Sequence, residues 1–438
     1  MSDDFPSSAL HRSGIIAKAG LKVSASYAGQ HLKDILNGKR DEDARKSLNK
    51  KNAERLFKEF SRLRGTALKL AQTMSLDNAI LPEEVADVMA QAQYSVPPIN
   101  KALVRTLIKR ELGNYPEEVF AKFEPEAMAA ASIGQVHRAW LHDGTAVAVK
   151  IQYPNVRDTI QTDMGIARLF MDRIIGKEKA EMYIEEVRLK LLEETDYLNE
   201  GANLTHYHRL FSGPKFVTPQ WLPEYSTASV LTMTFLEGRH MNEFLASQPS
   251  QNEKDHYGQH FWDFFHAQID SNYTVYADAH PGNFLFMPDG RLGILDFGCV
   301  KVSPPDFFNN YIRLFDVHMA DDIAHIRKVY TALDMVDPNK SRADDDAFVA
   351  FARAFGNLFL SPYREEVFDF GIADFSRDVA RYGREATAFT EPRGSRHFIF
   401  VTRLHVGLYR ILMQLGARVN TTESREILSS YLKRVNAA

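Results

Sequence analysis

Apolar positions along this chain change period several times, and each change predicts an element. Between residues 51 and 93, Leu56, Phe57, Phe60, Leu63, Leu68 and Leu70 recur near helical spacing. A Pro97-Pro98 break leads to a further helix reaching residue 120. The pattern then shortens. Gln135 to Leu141 and Ala146 to Gln152 read as strands joined by the turn residues His142-Asp143-Gly144-Thr145. Residues 156 to 211 are mainly helical, 214 to 238 supply two more strands, and a helix is expected over 252 to 272. Two short apolar runs, Phe284 to Met287 and Leu292 to Leu295, flank Pro288-Asp289-Gly290 and predict a β-hairpin. After Pro304-Pro305 the pattern is helical to the C-terminus. The most apolar stretch, Phe398 to Leu415, is broken by Arg403, His405, Arg410 and Gln414, so it predicts a buried or amphipathic helix and not a membrane span.

Composition adds bounds. The 438 residues suffice for two or three domain-sized parts. A formal charge of −4 argues against nucleic acid as the main partner. Cys299 is the single cysteine, so no intrachain disulfide can form; a reducing compartment fits best, and the thiol is expected to be buried packing. Met1-Ser2-Asp3-Asp4 is acidic where a secretory leader is basic, which points to the cytoplasm. From Phe5 to Lys33 there is no acid, while Arg12, Lys18, Lys22 and Lys33 are basic. That segment suits either an anionic membrane surface or a packed helix with a solvated basic face; its short, alanine-rich apolar side favours the second.

The chemistry gathers at the ends of the expected hairpin. Asp278 and Asn283 precede its first strand and Asp296 follows its second, so pairing brings Asn283 and Asp296 close together. Carboxylate and amide oxygens in one place suit a hard cation such as Mg²⁺. Asp278 and Asn283 are spaced as in the kinase catalytic loop H-R-D-x-x-x-x-N, and Asp296 opens D-F-G. D-F-G alone recurs by chance; behind a hairpin, with Asp and Asn at that interval, it is specific. Val147-Ala148-Val149-Lys150 matches the kinase strand whose lysine holds the α- and β-phosphates. Ala129, Ala130, Ala131 and Ser132 occupy the place of the glycine-rich phosphate loop. Alanine there predicts a stiffer loop, because glycine lets backbone N–H groups approach phosphate without a Cβ. Glu237-Gly238 ends an apolar strand as a kinase hinge does, next to the expected adenine edge. The lysine needs a helix glutamate; Glu193, Asp196 and Glu200 share a helix face, and Glu194 lies well round from them. Lys69 and Gln72 share one face of an otherwise apolar helical stretch.

As a set these residues resemble the UbiB-type atypical kinases, the AarF-like family linked to coenzyme Q. The resemblance runs over roughly residues 50 to 310. It comprises K-L-A-Q at 69–72, A-A-A-S-I-G-Q-V-H at 129–137, V-A-V-K-I-Q-Y-P at 147–154, E-T-D-Y-L-N-E-G-A-N at 194–203, D-A-H-P-G-N at 278–283 and D-F-G at 296–298. Ala71 stands where the family motif K-x-G-Q has glycine.

The resemblance implies an α+β, bilobal protein-kinase-like fold. Residues 1–115 would form a helical N-terminal extension carrying the K-x-G-Q-like motif, 116–238 an N-lobe with inserted helices, and 239–438 a helical C-lobe. By motif, Lys69 and Gln72 enter the active site, meet Glu194 and Asp196 and cover the place of a protein substrate. Glu200 matches the glutamate that pairs with Lys150. Helical geometry would group Glu193 with Asp196 instead of Glu194, and a distorted turn would reconcile the two. The catalytic set is then Asp278, Lys150 and Glu200. Ala129, Ala130, Ala131, Ser132, Lys150 and Glu237 serve the nucleotide, and Asn283 and Asp296 the metal. The cofactors implied are ATP and Mg²⁺, with Mn²⁺ as a substitute. The activity implied is that of an ATPase or small-molecule kinase supporting ubiquinone synthesis or lipid homeostasis, with a small-molecule, lipid or quinone-precursor acceptor. Many members carry C-terminal membrane helices; no such helix is expected here, so membrane contact is peripheral or through a partner. Two alternatives stand beside this reading. A conventional Ser/Thr kinase is opposed by His280, where kinases carry the catalytic-loop lysine, and by the missing A-P-E. A non-catalytic nucleotide-binding scaffold is opposed by the intact Lys150, Asp278, Asn283 and Asp296.

Overall fold

The computed structural model describes residues 25–27, 29, 42–63, 67, 70–71, 83–89, 99–131, 133–174, 176–270, 273–276, 279–298, 300–337, 339, 345–386, 389, 393–395 and 397–437. The chain forms two compact units. One comprises Met1–Ala202 with Gln220–Phe235; the other comprises Asn203–Pro219 with Leu236–Ala438.

In the first unit, strands Gly134–Trp140 and Ala146–Gln152 pair antiparallel, and Val230–Thr234 adds to the far side of the second. Gly144 turns the chain between them at φ +88°, where an L side chain would be strained. Lys122–Phe123 pairs with the other end of Gly134–Trp140. The alanine stretch differs from the loop expected of it. Ala129–Ala131 is an extended strand paired with residues 134–136, with Ala129 opposite Val136 and Ala131 opposite Gly134. Alanine is a poor strand former. Its place here comes from a partner edge whose groups need satisfying: Val136 C=O accepts from Met128 N–H at 2.8 Å.

Residues 156–211 form three helices, Val156–Ile174, Lys177–Glu194 and Tyr197–Phe211. The first two pack with Glu42–Leu63 and Glu83–Met89 around a core that includes Phe60, Val88, Met164, Phe170, Ile184 and Leu191. Leu70 and Ala71, from the K-L-A-Q stretch, are fully buried in that core. Asn100 caps Lys101–Leu112, its side-chain oxygen accepting from Leu103 N–H at 2.8 Å.

The second unit contains the hairpin. Phe284–Phe286 pairs antiparallel with Leu292–Ile294, and Phe216–Val217 joins the latter in parallel. A separate ladder pairs Thr274–Tyr276 with Val300–Val302. The two ladders are nested in sequence, so the segments between them, one ending in Asn283 and the other holding Asp296, are brought opposite each other. The helix expected over 252–272 spans Gln251–Ala267 and tightens into a 3₁₀ turn, Gln268–Asp270. Among the described residues, six further α-helices lie between Pro305 and Ala437. Among them Phe398–Leu415 buries one face, with Leu404, Leu408, Ile411, Leu412 and Leu415 in the core, while Arg410 and Gln414 are exposed. Among the described residues, no helix is long and apolar enough to cross a membrane.

Candidate active site

Lys150 sits in mid-strand opposite Val136 on one side and Leu231 on the other. That position buries it to 7% exposure, which a charged ammonium tolerates only with a partner. Glu200, 4% exposed, is that partner: its two carboxylate oxygens accept from Nζ at 2.7 and 2.9 Å. The Tyr197 ring, one helical turn earlier, lies with its centroid 5.0 Å from the same ammonium.

The structure also answers which acids share a face. The helix Lys177–Glu194 stops, and Tyr197–Phe211 begins after Thr195 and Asp196. Helical spacing cannot be carried across that break. Glu194 points inward and is buried, whereas Glu193 is exposed. Asp196 caps the new helix, its carboxylate accepting from Leu198 N–H at 3.1 Å and Asn199 N–H at 3.4 Å. The Gln152 side chain, two residues beyond Lys150, donates to Thr195 C=O at 3.1 Å and ties the break to the lysine strand.

In the second unit, Leu295 N–H donates to Asn283 C=O at 2.9 Å, which continues the hairpin ladder and sets Asn283 beside Asp296. Asp296 Oδ1 accepts from Gly298 N–H at 2.8 Å, folding D-F-G into a tight turn. Phe297 is fully buried against Tyr207 and Tyr276, with ring centroids 5.0 and 5.7 Å away. The Asn203 amide donates to Phe297 C=O at 3.1 Å. Ahead of Asn283, His280 Nδ1 accepts from Gly282 N–H at 3.1 Å and His280 C=O accepts from Asn283 N–H at 2.9 Å, closing a short 3₁₀ turn. Nδ1 is therefore an acceptor, and the neutral ring carries its proton on Nε2. Asn283 and Asp296 are both half-buried. One carboxylate and one carboxamide oxygen, held by backbone turns, fit Mg²⁺, which keeps water and phosphate among its ligands and needs few from protein.

Ala129 is exposed on its strand, and the Glu237 side chain is exposed just before Arg239, whose backbone pairs with Phe286. Lys69, Gln72, Ser132, Asp278 and Cys299 lie outside the described residues, as do the side chains of Ala130 and Ala131 and the basic stretch up to Ser24. Tyr197 and Asn203 are additions that sequence reasoning missed. Both fall inside E-T-D-Y-L-N-E-G-A-N, three residues before and three after Glu200, and that spacing was the available signal.

Residues 91–330 match the ABC1 atypical kinase-like domain. The chain is 28% identical over 380 residues to the mitochondrial atypical kinase COQ8 of Saccharomyces cerevisiae, covering 84% of this chain and 74% of that protein. It is 27% identical over 401 residues to the probable serine/threonine-protein kinase abkA of Dictyostelium discoideum, covering 86% and 71%. Mouse AarF domain-containing protein kinase 1 is 30% identical over 304 residues, covering 67% and 58%. Among solved structures, Rv3197 of Mycobacterium tuberculosis, determined with erythromycin, superposes with a TM-score of 0.59 at 24% identity, covering 88% of this chain and 98% of that one. The likeness is one of fold, and the fold is kinase-like.

Proposed function

The chain belongs to the ABC1 atypical kinase-like family, and from that membership we propose that it is an ATP- and Mg²⁺-dependent atypical kinase or ATPase. The observation that carries the reading is the buried Lys150–Glu200 pair at 2.7 Å. An ion pair at that depth gains little for stability and is expensive to desolvate, so its retention points to chemistry. In this reading Glu200 holds the ammonium in place and charged, and Lys150 meets the α- and β-phosphates of ATP. Asn283 and Asp296 would hold the metal. Bound there, Mg²⁺ supplies charge neutralisation on the phosphates. Asp278 orients or deprotonates the acceptor hydroxyl. His280, where a protein kinase carries lysine, favours an acceptor other than an ordinary protein.

The acceptor class proposed is a small molecule, lipid or quinone precursor, in support of ubiquinone synthesis or lipid homeostasis. Lys69 and Gln72, with Glu194 and Asp196, are assigned a regulatory part in excluding protein substrates. Any membrane contact is peripheral.

ATP turnover with and without anionic liposomes and phenolic quinone-precursor mimics tests this. The expected result is Mg²⁺-dependent turnover that rises with liposomes or phenols and is lost in Lys150→Met. Nucleotide binding with no turnover under any of these conditions would replace the enzyme reading with that of a nucleotide-binding scaffold.

A further inference from the structure

The loop that leads into Asn283 rests on a helix far from it in sequence and beyond the matched residues 91–330. A Cβ built on Gly407, in helix Phe398–Leu415, would stand 2.6 Å from the Cβ of Ala279, 3.1 Å from its carbonyl oxygen and 3.5 Å from its Cα. The first of these is closer than real Cβ atoms approach one another. The atoms met are backbone and Cβ, so no flexible side chain can swing aside.

Neither partner has an easy retreat. On the loop side, Ala279 is followed at once by the His280–Asn283 turn with its two internal hydrogen bonds. It is preceded by strand Thr274–Tyr276, where Tyr276 N–H donates to the buried Gln268 side chain at 2.7 Å. On the helix side, Leu408, Ile411 and Leu412 are buried to 1% or less, and the Tyr409 hydroxyl donates to Phe359 C=O at 2.5 Å. Two residues before Gly407, His405 Nδ1 is hydrogen-bonded to the Tyr311 hydroxyl at 2.8 Å. The helix is thus held on both sides of Gly407.

We propose that Gly407 is a positioning residue for the catalytic loop: its missing side chain lets Ala279 seat against the helix and so sets the loop that carries Asp278 and Asn283. This rests on the kinase reading of that loop. It adds a requirement from a helix outside the matched domain. A methyl group at 407 pushes Ala279 outward, and the displacement passes through the peptide bond to Asp278 and through the turn to Asn283. Lys150 and Glu200 belong to the other unit.

The test is a double-mutant cycle on the full chain, with Gly407→Ala, Ala279→Gly and both together. Gly407→Ala should lower kcat for ATP turnover on the order of 10- to 100-fold, as expected for a misplacement near 1 Å. Its KM for ATP should move little. In the Ala279→Gly background, where the opposing Cβ is gone, the same substitution should cost about threefold or less. Equal costs in both backgrounds would overturn the proposal. So would a fall in thermal stability with kcat unchanged, which would mark the contact as packing alone. If the wild-type chain itself shows no turnover, the kinase reading fails on its own. The contact is then read in the hydrogen-exchange rates of the Gly282 and Asn283 amides, expected to rise in Gly407→Ala and to return in the double variant. Unchanged exchange would overturn it.

Discussion

The side-chain amide of Gln135 donates to Nε2 of His137 at 2.8 Å, with both residues buried to 1% or less. The direction follows from the neighbours. His137 Nδ1 faces the carbonyl oxygen of Glu124 at 2.9 Å, so Nδ1 carries the proton and Nε2 accepts. Gln135 Oε1 in turn accepts from Ile99 N–H at 2.9 Å. A chain of three bonds therefore ties the backbone just after Pro97-Pro98 to the strand that follows the alanine stretch. Gln135→Leu would leave the Ile99 donor and the His137 acceptor buried without their partner. A loss of about 3 kcal/mol is expected for two such groups. Urea unfolding should show it as a lower midpoint at unchanged slope; a loss under 0.5 kcal/mol, on the scale of ordinary surface substitutions, would mean water replaces the amide.

Stability should fall as pH drops from about 6.5 towards 4. Burial lowers the His137 pKa, and it holds His266 down at about 4 against an ordinary 6.5. His266 donates from Nδ1 to Trp262 C=O and accepts the Tyr363 hydroxyl at Nε2, each at 2.6 Å, an arrangement that needs the neutral ring. A depressed folded-state pKa means that the unfolded chain binds the proton first. The stabilisation is therefore complete above 6.5 and is lost as pH falls to the folded value. For His266 it is on the order of 3 kcal/mol. Thermal melts across that range should show the decline, and it should be shallower in His266→Leu. An equal slope in the variant would show that His266 does not contribute.

Removing one member of the Lys150–Glu200 pair should cost more than removing both. Lys150→Met leaves a buried carboxylate and is expected to cost about 3 to 5 kcal/mol. Lys150→Met with Glu200→Leu should recover most of that while abolishing nucleotide binding. Additive losses in the double variant would show that the two charges are not coupled.

Asp296→Asn separates charge from fold. Its amide oxygen can still accept the Gly298 N–H now bonded at 2.8 Å, so the D-F-G turn and the melting temperature should survive. Mg²⁺-dependent nucleotide affinity should fall by about tenfold or more, since a neutral ligand replaces a carboxylate on a hard cation. Calorimetry with and without Mg²⁺ reads both quantities. Wild-type affinity in the presence of Mg²⁺ would remove Asp296 from the metal site.

The alternation of apolar residues and the turn residues around Gly144 and Gly290 were enough to place both hairpins, because strand pairing across a tight turn is a local matter. The same locality brought Asn283 beside Asp296, and motif spacing singled out Lys150. Other features depended on partners distant in the chain. Glu193 looked equivalent to Glu200 on a continuous helix, but the helix breaks at Thr195, where the carbonyl is held by Gln152 across the fold. Ala129–Ala131 reads as a loop by composition and is a strand because the edge of Gly134–Trp140 needed its hydrogen bonds satisfied. Gly407 carries no signal at all in a helical pattern, and its absent Cβ acquires meaning only against Ala279. Periodicity and turn chemistry are properties of neighbouring residues; helix breaks, edge pairing and close approach are settled by what the rest of the chain packs against them.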